Sequence, residues 1–253
     1  MTPVVVRDVH IGEGIPKICV PVVGTTEKNI IEEAMALKNI PVDVVEWRAD
    51  WFEGVCDYAK VERVLVQLRE ALGNLPLLFT FRTLREGGER DISVSDYAEL
   101  NRQAARSGYV DLIDVEAFTG DEVVQGLIAD AHACGVKVVA SNHDFDKTPE
   151  KEEIIRRLCR MQQLGADISK IAVMPRDKKD VLTLLSATEE MVREYADRPV
   201  ITMSMSGTGM ISRVCGEVFG SSITFGAASK ASAPGQIDVN ELETMLGIIH
   251  KSL

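Results

Sequence analysis

The sequence predicts an α/β fold, a single (β/α)8 TIM barrel that follows an N-terminal β-hairpin. Strand-like and helix-like segments alternate regularly from Lys17 to the end of the 253 residues. No linker or low-complexity tract separates them, which favours one barrel over an open doubly wound sheet or two domains. The predicted domain covers residues 1–253, with the hairpin at 1–16 and the barrel at 17–253.

The predicted barrel strands are short β-branched runs bounded by turn residues. Residues 4–14 precede them, do not fit the alternation, and predict a hairpin that closes the bottom of the barrel. In chain order the predicted strands are Ile18–Val23, Val42–Arg48, Leu77–Arg82, Leu112–Glu116, Val136–His143, Ile168–Met174, Val200–Met205 and Ile223–Ala227.

The segments between the strands carry the helical period. Thr148 before Pro149 predicts a helix that starts with a capping hydroxyl, and Gly165 predicts where that helix ends. Three segments repeat their buried face at i, i+3 and i+4 spacing: Val61, Val64, Leu65, Leu68 and Leu72; Val181, Leu184, Leu185 and Thr188; and Leu242, Met245, Leu246 and Ile249.

Composition excludes several classes of partner. The net charge is -11 and no Lys/Arg-rich run stands out, so nucleic acid and anionic membranes are poor partners. No apolar stretch approaches a membrane span, and the first residues lack the features of a signal peptide. The five scattered cysteines never have CxxC spacing, which fits a reducing cytosol. We therefore expect a cytoplasmic protein, and without a metal-ligand motif we expect no metal or cofactor.

Lys170 places a charge in the middle of the apolar run 168–175. A buried lysine loses hydration, which favours the neutral amine over the ammonium ion. A neutral amine in a dry pocket can attack a carbonyl group and form a Schiff base. The alternative is a snorkelling or ion-paired lysine without chemistry, which is the more frequent case for an isolated strand lysine.

Further polar residues are expected to face inward beside Lys170. Side chains alternate along a strand, and a barrel of this type has its active site at the carboxyl ends of the strands. Inward charges are costly unless they are paired or used, so a group of them at one end predicts a functional site. A single pair such as Glu46–Arg48 would more often be structural. The expected inward set is Glu46, Arg48, Thr80, Arg82, Asp114, Glu116, Met203 and Met205.

His143 ends the strand that precedes the Lys170 strand. Adjacent parallel strands lie about 5 Å apart, so its imidazole should lie beside the amine. A histidine near its ordinary pKa can take and return a proton in one cycle. Glu86, in the loop after Arg82, is a candidate to orient the imidazole, and an ordinary solvated loop glutamate is the alternative. After the last strand, Ser232 and Gln236 could hydrogen-bond a ligand.

These motifs resemble those of the type I 3-dehydroquinate dehydratases, and the resemblance covers essentially the whole chain. The matching segments include the charged end of the second strand and the lysine strand itself. They are Gly12-Glu-Gly14, Lys17-Ile-Cys-Val20, Glu46-Trp-Arg48, Phe79-Thr-Phe-Arg82, Glu86-Gly-Gly-Glu89, Ser141-Asn-His-Asp-Phe145, Lys170-Ile-Ala-Val-Met-Pro175, Met203-Ser-Met205, Ile211-Ser-Arg213 and Ser232-Ala-Pro-Gly-Gln236.

The resemblance implies a role for each candidate residue. Lys170 would form an imine with the C3 ketone of 3-dehydroquinate. His143 would remove a C2 proton and then protonate the departing C1 hydroxyl, while Glu86 orients the imidazole. The resemblance also implies that the substrate carboxylate is held by Arg213, Ser232 and Gln236, and that the ring hydroxyls are held by Glu46, Arg48 and Arg82. We further expect a homodimer.

Two positions depart from the family pattern. Pro21 stands where serine is common, which affects one hydroxyl contact. Ser169 stands where proline is common before the lysine, which should change rigidity more than chemistry. Two other readings stay open at this point: a class I aldolase, which would usually need a phosphate site, and a catalytically silent barrel that only binds ligands.

Overall fold

An antiparallel hairpin opens the chain, as predicted. The computed structural model describes residues 1–228 and 233–253. Its first two strands, β1 (Val4–Val6) and β2 (Val9–Ile11), pair with each other. The buried hairpin side chains belong to the same apolar cluster as Leu112, Val139 and Ile168, which line the barrel interior. The hairpin therefore packs against the inner core of the barrel.

A curled parallel sheet forms the barrel. Its eight principal strands pair in chain order, and an isolated bridge between Val200 and Ser221 joins the last two. An additional short strand, β11 (Ile237–Asp238), pairs with β10. The barrel strands are β3 (Lys17–Val22), β4 (Val44–Arg48), β5 (Leu77–Thr80), β6 (Leu112–Glu116), β7 (Lys137–Asp144), β8 (Ile168–Val173), β9 (Val200–Ser204) and β10 (Ile223–Ala227).

Helices cover the outside of the sheet. In the described ranges, none of them is long and apolar enough to cross a membrane. The helices are α1 (Glu27–Ala36), α2 (Tyr58–Leu72), α3 (Val94–Arg106), α4 (Asp121–Ala133), α5 (Lys151–Gln163), α6 (Lys178–Glu190), α7 (Ile211–Val214), α8 (Gly216–Phe219) and α9 (Val239–His250).

The predicted strand bounds hold to within two residues. The largest differences are at the start of β4 and the end of β5, where the ladder is shorter than the apolar run. Beyond Thr80 the chain leaves the sheet because the Arg82 backbone N–H donates to Asp50 Oδ1 at 3.2 Å. This departure turns the Arg82 side chain toward the residues at the mouth of the barrel.

The predicted start of α5 is wrong. The helix begins at Lys151 and its N-cap is Glu150, which makes no side-chain capping bond. The Thr148 hydroxyl instead donates to the Met174 carbonyl oxygen at 3.1 Å and ties the loop to the end of β8. The predicted end is correct: Gly165 has a φ of 100°, a conformation that glycine adopts without strain.

The alternation of side chains along the strands separates two apolar cores. Val45 and Trp47 of β4 face outward and join the large cluster between sheet and helices. Val44 of the same strand faces inward and joins a smaller cluster with Met203 and Phe225. Polar side chains replace the apolar ones only toward the carboxyl ends of the strands, where the inner core gives way to a cavity.

Candidate active site

One cavity at the carboxyl ends of the barrel strands brings the predicted residues together. Its apolar wall includes Ala172, Met203, Met205 and Phe225. Of the predicted site residues, Ser232 lies outside the described part of the chain. All the others line this cavity: Glu46, Arg48, Arg82, Glu86, His143, Lys170, Arg213 and Gln236.

Lys170 is buried at the base of the cavity, and only 3% of its surface is exposed. Its Nζ lies 3.3 Å from Asp114 Oδ2, 3.7 Å from Glu46 Oε1 and 4.6 Å from the centre of the Phe225 ring. These four residues belong to β4, β6, β8 and β10, and alternate strands are known to contribute the side chains of one interior layer. Two carboxylates and an aromatic face therefore surround the amine. Glu46 and Asp114 belong to the inward-facing set expected from the sequence, and the structure brings both within 4 Å of the amine.

Asp114 connects the lysine to the rest of the network. It is fully buried, accepts a hydrogen bond from Ser141 Oγ at 2.6 Å, and lies 2.8 Å from Arg82 Nη2. Burial alone would raise the pKa of Asp114, but Arg82 and Lys170 outweigh it and hold the pKa below its usual value. Asp114 is thus a carboxylate shared by two cations.

Arg82 is surrounded by acceptors from the protein itself. Its Nη1 donates to Glu116 Oε1 and to Ser141 Oγ, both at 3.0 Å. Burial opposes the charge, but Asp114, Glu116 and Glu86 raise the pKa of Arg82 well above its usual value. The guanidinium therefore stays charged and organises three strands.

His143 and Glu86 form a hydrogen-bonded pair at the rim. His143 Nδ1 lies 3.0 Å from Glu86 Oε2, which also accepts the backbone N–H of His143 at 2.9 Å. Glu86 ends a short 3-10 helix, Leu84–Glu86, and Gly87 follows it with a φ of 82°. A side chain at Gly87 would also collide with the Phe145 ring, because an added Cβ would come within 2.2 Å of it. The glycine thus lets the loop lie close to the Phe145 ring.

The protonation of this pair follows from its burial. Burial lowers the pKa of His143 well below its usual value, and the nearby cations Arg82, Lys170 and Arg48 lower it further. Burial raises the pKa of Glu86 to about 7, against the opposing effect of Arg82. A neutral imidazole at neutral pH has a lone pair with which to accept a proton.

Arg48 has a partner that the sequence did not predict. Asp50 is fully buried and binds Arg48 in a bidentate pair, with distances of 2.8 Å and 2.7 Å. Its two oxygens also accept the backbone N–H groups of Arg82 and Glu89 at 3.2 Å. Asp50 is two residues after Arg48, so the period of the strand was a signal for it. Its position in a short 3-10 helix after β4 hid that signal.

Arg213 is buried without such a partner. Its Nη2 donates to the Pro234 carbonyl oxygen at 3.0 Å, and Nη1 lies 3.9 Å from Met203 Sδ. Within residues 1–228 and 233–253, no carboxylate forms an ion pair with it. Burial lowers the pKa of Arg213 to about 10. A guanidinium in this position is suited to bind an anion that enters the cavity.

The two departures from the family pattern have structural consequences. Pro21 lies in β3 in register with Glu46 and offers no hydroxyl to the barrel interior. Ser169 faces outward, and its hydroxyl donates to the Leu158 carbonyl oxygen of α5 at 3.3 Å. The serine therefore bonds the lysine strand to the neighbouring helix, and it does not enter the cavity.

A metal site is not apparent in the described part of the chain. There, no group of three or more His, Cys, Asp or Glu side chains is placed to hold a metal ion. The cations of the cavity are instead lysine and arginine side chains, which bind carbonyl, hydroxyl and carboxylate oxygens directly.

Comparison with known proteins gives a consistent assignment. The family model described as type I 3-dehydroquinase matches residues 18–253. The chain is 58% identical to the 3-dehydroquinate dehydratase of Clostridioides difficile over 248 residues, which cover 98% of this chain and 97% of that one. It is 60% identical to the enzyme of the same name from Listeria welshimeri over 251 residues, 99% of each chain.

A solved structure is equally similar. The type I 3-dehydroquinate dehydratase from Clostridium difficile with covalently modified comenic acid superposes with a TM-score of 0.98 at 57% identity, over 100% of both chains. The barrel, the cavity and these likenesses lead to one conclusion. This chain belongs to the type I 3-dehydroquinase family.

Proposed function

We propose that this chain converts 3-dehydroquinate to 3-dehydroshikimate, a step of the shikimate pathway, through an imine between Lys170 and the C3 ketone. The observation that carries the proposal is the placement of Lys170. Its amine lies at the base of a cavity, His143 lies on the adjacent strand, and Arg213 lines the same cavity. A nucleophile, a proton-transfer group and an anion site are thus available to one small keto acid.

The lysine solves the central chemical problem of this reaction. Loss of the C1 hydroxyl requires negative charge at C2, and a protonated imine accepts that charge far better than a ketone does. The ammonium must first lose a proton, and Asp114 and Glu46 are the carboxylates within 4 Å of it. The amine then adds to C3, one water molecule leaves, and the imine forms.

His143 is assigned the two proton transfers. Its neutral imidazole takes a proton from C2, and the resulting imidazolium returns it to the C1 oxygen as water departs. Water then hydrolyses the product imine and restores Lys170. General acid–base catalysis of this kind contributes on the order of 10²–10⁴-fold.

The substrate carboxylate is assigned to Arg213, with Gln236 and Ser232. Arg213 is a buried cation whose pKa is lowered by burial, so an anion that pairs with it restores the lost solvation. Glu46, Arg48 and Arg82 are assigned to the ring hydroxyls. Because Arg82 already bonds Glu116 and Ser141, we expect it to contribute more to the order of the site than to binding.

The relative from Clostridium difficile supports a covalent mechanism. It has been crystallised with covalently modified comenic acid, at 57% identity to this chain. A covalently modified ligand in that relative is consistent with a nucleophile at Lys170 in this chain.

One experiment tests the proposal. The protein is mixed with 3-dehydroquinate, and the ultraviolet absorbance of the conjugated enone product is followed. Borohydride added during turnover should reduce the imine and leave a ligand on Lys170, which mass spectrometry of the peptide would locate. Turnover without any adduct on Lys170 would disprove the Schiff-base mechanism, and absence of enone would disprove the activity.

The assembly and location are also proposals. A cytoplasmic homodimer would bury apolar side chains that are exposed on neighbouring helices, among them Leu182 of α6, Ile211 of α7 and Val218 of α8. Light scattering on protein eluted from a size-exclusion column measures the mass of the assembly and tests the dimer. A monomer mass across micromolar concentrations would contradict it.

A further inference from the structure

Hydrogen bonds connect the surface of α5 with the His143–Glu86 pair. Arg157 of α5 donates from Nη1 to Asn142 Oδ1 at 2.9 Å. Asn142 Nδ2 donates to Glu86 Oε1 at 3.2 Å, and the other Glu86 oxygen lies 3.0 Å from His143 Nδ1. The mechanism proposed above assigns no role to Arg157 or Asn142.

The Arg157 side chain is held in place. Its Nε donates to Glu153 Oε1 at 2.7 Å, and Nη1 lies 3.5 Å from Asp144 Oδ2. The guanidinium also lies over the Phe118 ring, 5.9 Å from its centre. These contacts come from a helix, a strand end and a loop, so the guanidinium has a defined position toward Asn142.

Arg157 determines the orientation of the Asn142 amide. A guanidinium can only donate hydrogen bonds, so the amide must turn its oxygen toward Arg157. Its NH₂ group then faces Glu86. A donor in that place favours the carboxylate form of Glu86, whereas a reversed amide would present an oxygen and favour the protonated form.

The state of Glu86 in turn sets the tautomer of His143. A Glu86 carboxylate accepts the N–H of Nδ1, which leaves the lone pair on Nε2. Only this tautomer can take a proton through Nε2. A protonated Glu86 would donate to Nδ1, and Nε2 would then carry the hydrogen and could not act as a base.

We propose that Arg157 is a positioning residue for the dehydration: it orients Asn142, which keeps Glu86 a carboxylate and fixes the His143 tautomer that accepts the substrate proton. This inference rests on the proposed function. Arg157 does not line the cavity, so it acts on the reaction only through Asn142 and Glu86.

Charged groups surround Glu86, so the hydrogen bond from Asn142 can change the ionisation of this carboxyl group. Arg82 lies 3.7 Å from Glu86, and Glu116 and Asp114 of β6 and His143 of β7 also face it. Burial, Glu116 and Asp114 raise the pKa of Glu86 to about 7, while Arg82 and Asn142 lower it. With the pKa so close to neutral pH, loss of the Asn142 donor should change the fraction of Glu86 that is ionised.

The test compares Arg157→Met with Arg156→Met. Methionine keeps apolar contact with Phe118 and removes every donor. Arg156 is the adjacent residue of α5, is exposed, and binds the same Glu153 at 2.6 Å, so its variant controls for a lost surface ion pair. We expect kcat of Arg157→Met to fall about tenfold, as for loss of a hydrogen bond to a charged group. KM should stay near the wild-type value, and borohydride should still trap the adduct on Lys170.

The pH profile distinguishes positioning from a structural role. The acidic limb of kcat should move up by about one pH unit in Arg157→Met and stay in place in Arg156→Met. Asn142→Asp keeps a bond to Arg157 but presents an acceptor to Glu86, so its limb should move in the same direction. Arg157→Lys, which keeps a donor, should recover part of kcat.

Two results would overturn the inference. One is a wild-type pH profile in both Arg157→Met and Asn142→Asp. The other is an equal loss of kcat in Arg157→Met and Arg156→Met. A wild-type protein that forms no enone or no Lys170 adduct would contradict the proposed function instead, so the two failures are distinguishable.

Discussion

The two sides of the cavity bury arginine in different ways. On the side formed by β4–β7, Arg48 binds Asp50 and Arg82 binds Asp114 and Glu116. On the opposite side, Arg213 of α7 contacts a carbonyl oxygen and a thioether, and it forms no ion pair with the described residues. On the first side, carboxylates of the protein itself therefore neutralise both arginines.

This difference shows which part of the site is built before a ligand arrives. Taking an unpaired charge out of water is expensive, and an ion pair recovers the cost only when its geometry is good. The paired side can therefore hold Lys170 and His143 in place without a ligand. An anion that binds on the Arg213 side compensates a buried, unpaired charge. Contacts on this side should therefore contribute most of the substrate-binding free energy.

The largest expected effect concerns Lys170, which the carboxylates of the paired side contact. Lys170→Ala removes the nucleophile, and turnover should fall on the order of 10⁴–10⁶-fold, as in enzymes that lose a nucleophile. Lys137→Ala, a change in a half-buried lysine at the start of β7, is the control and should keep its activity. Enone formation measured by absorbance decides the matter, and near-normal turnover in Lys170→Ala would end the imine mechanism.

Stability should separate the two sides. Asp114→Asn leaves Arg82 and Lys170 without their shared carboxylate, and the free energy of unfolding should fall by about 3–5 kcal/mol, as for a broken buried ion pair. Arg213→Met removes an unpaired buried cation and should leave stability unchanged or higher. Urea denaturation measures both. If Arg213→Met is the more destabilising of the two, the comparison between the sides is wrong.

Substrate binding, unlike stability, should depend strongly on Arg213. In Arg213→Ala the substrate carboxylate loses its cation, and kcat/KM should fall by an amount equivalent to roughly 2–5 kcal/mol. Arg213→Lys should recover part of this, because it replaces a two-donor fork with a point charge. Gln236→Ala should cost less, about 1.5–3 kcal/mol. A larger loss for Gln236→Ala than for Arg213→Ala would place the carboxylate elsewhere.

The smallest effect is the pH dependence of stability. Because burial raises the pKa of Glu86 to about 7 in the folded protein, the folded state holds a proton that the unfolded state has released. The contribution of Glu86 to the free energy of unfolding is therefore present at pH 4 and is lost as pH rises toward 7. The loss should be about 2–3 kcal/mol. Wild type should therefore lose stability relative to Glu86→Gln over this range. Glu89→Gln, at an exposed position of the same loop, should follow the wild type.

Local patterns predicted much of the fold and the site. The strands and their inward faces follow from apolar runs and from the two-residue period, which placed Glu46 and Arg82 at the cavity correctly. The loop position of Glu86 left two alternatives open. Only the folded chain brings it within hydrogen-bond distance of His143.

The missed contacts share a physical cause. Asp114 and Glu46 bind Lys170 across the barrel, from strands that are not its neighbours in the sheet. The alternation of side chains along a strand predicts which face each one occupies, but it does not predict which side chains meet across the interior. Thr148 shows the same limit on a smaller scale, because its hydroxyl bonds Met174 at the end of the next strand and not the nearby helix start.

The sequence by itself determined the barrel, the face of each strand and the family, because these depend on local periodicity and on residues near one another in the chain. The tertiary structure decided the charge state of the site. Burial and long-range pairing set whether Lys170 is surrounded by carboxylates, whether Arg213 is left without one, and in which direction the pKa values of Glu86 and His143 shift. Electrostatic energies depend on distances in space and on exclusion of water, and both exist only once the barrel has closed.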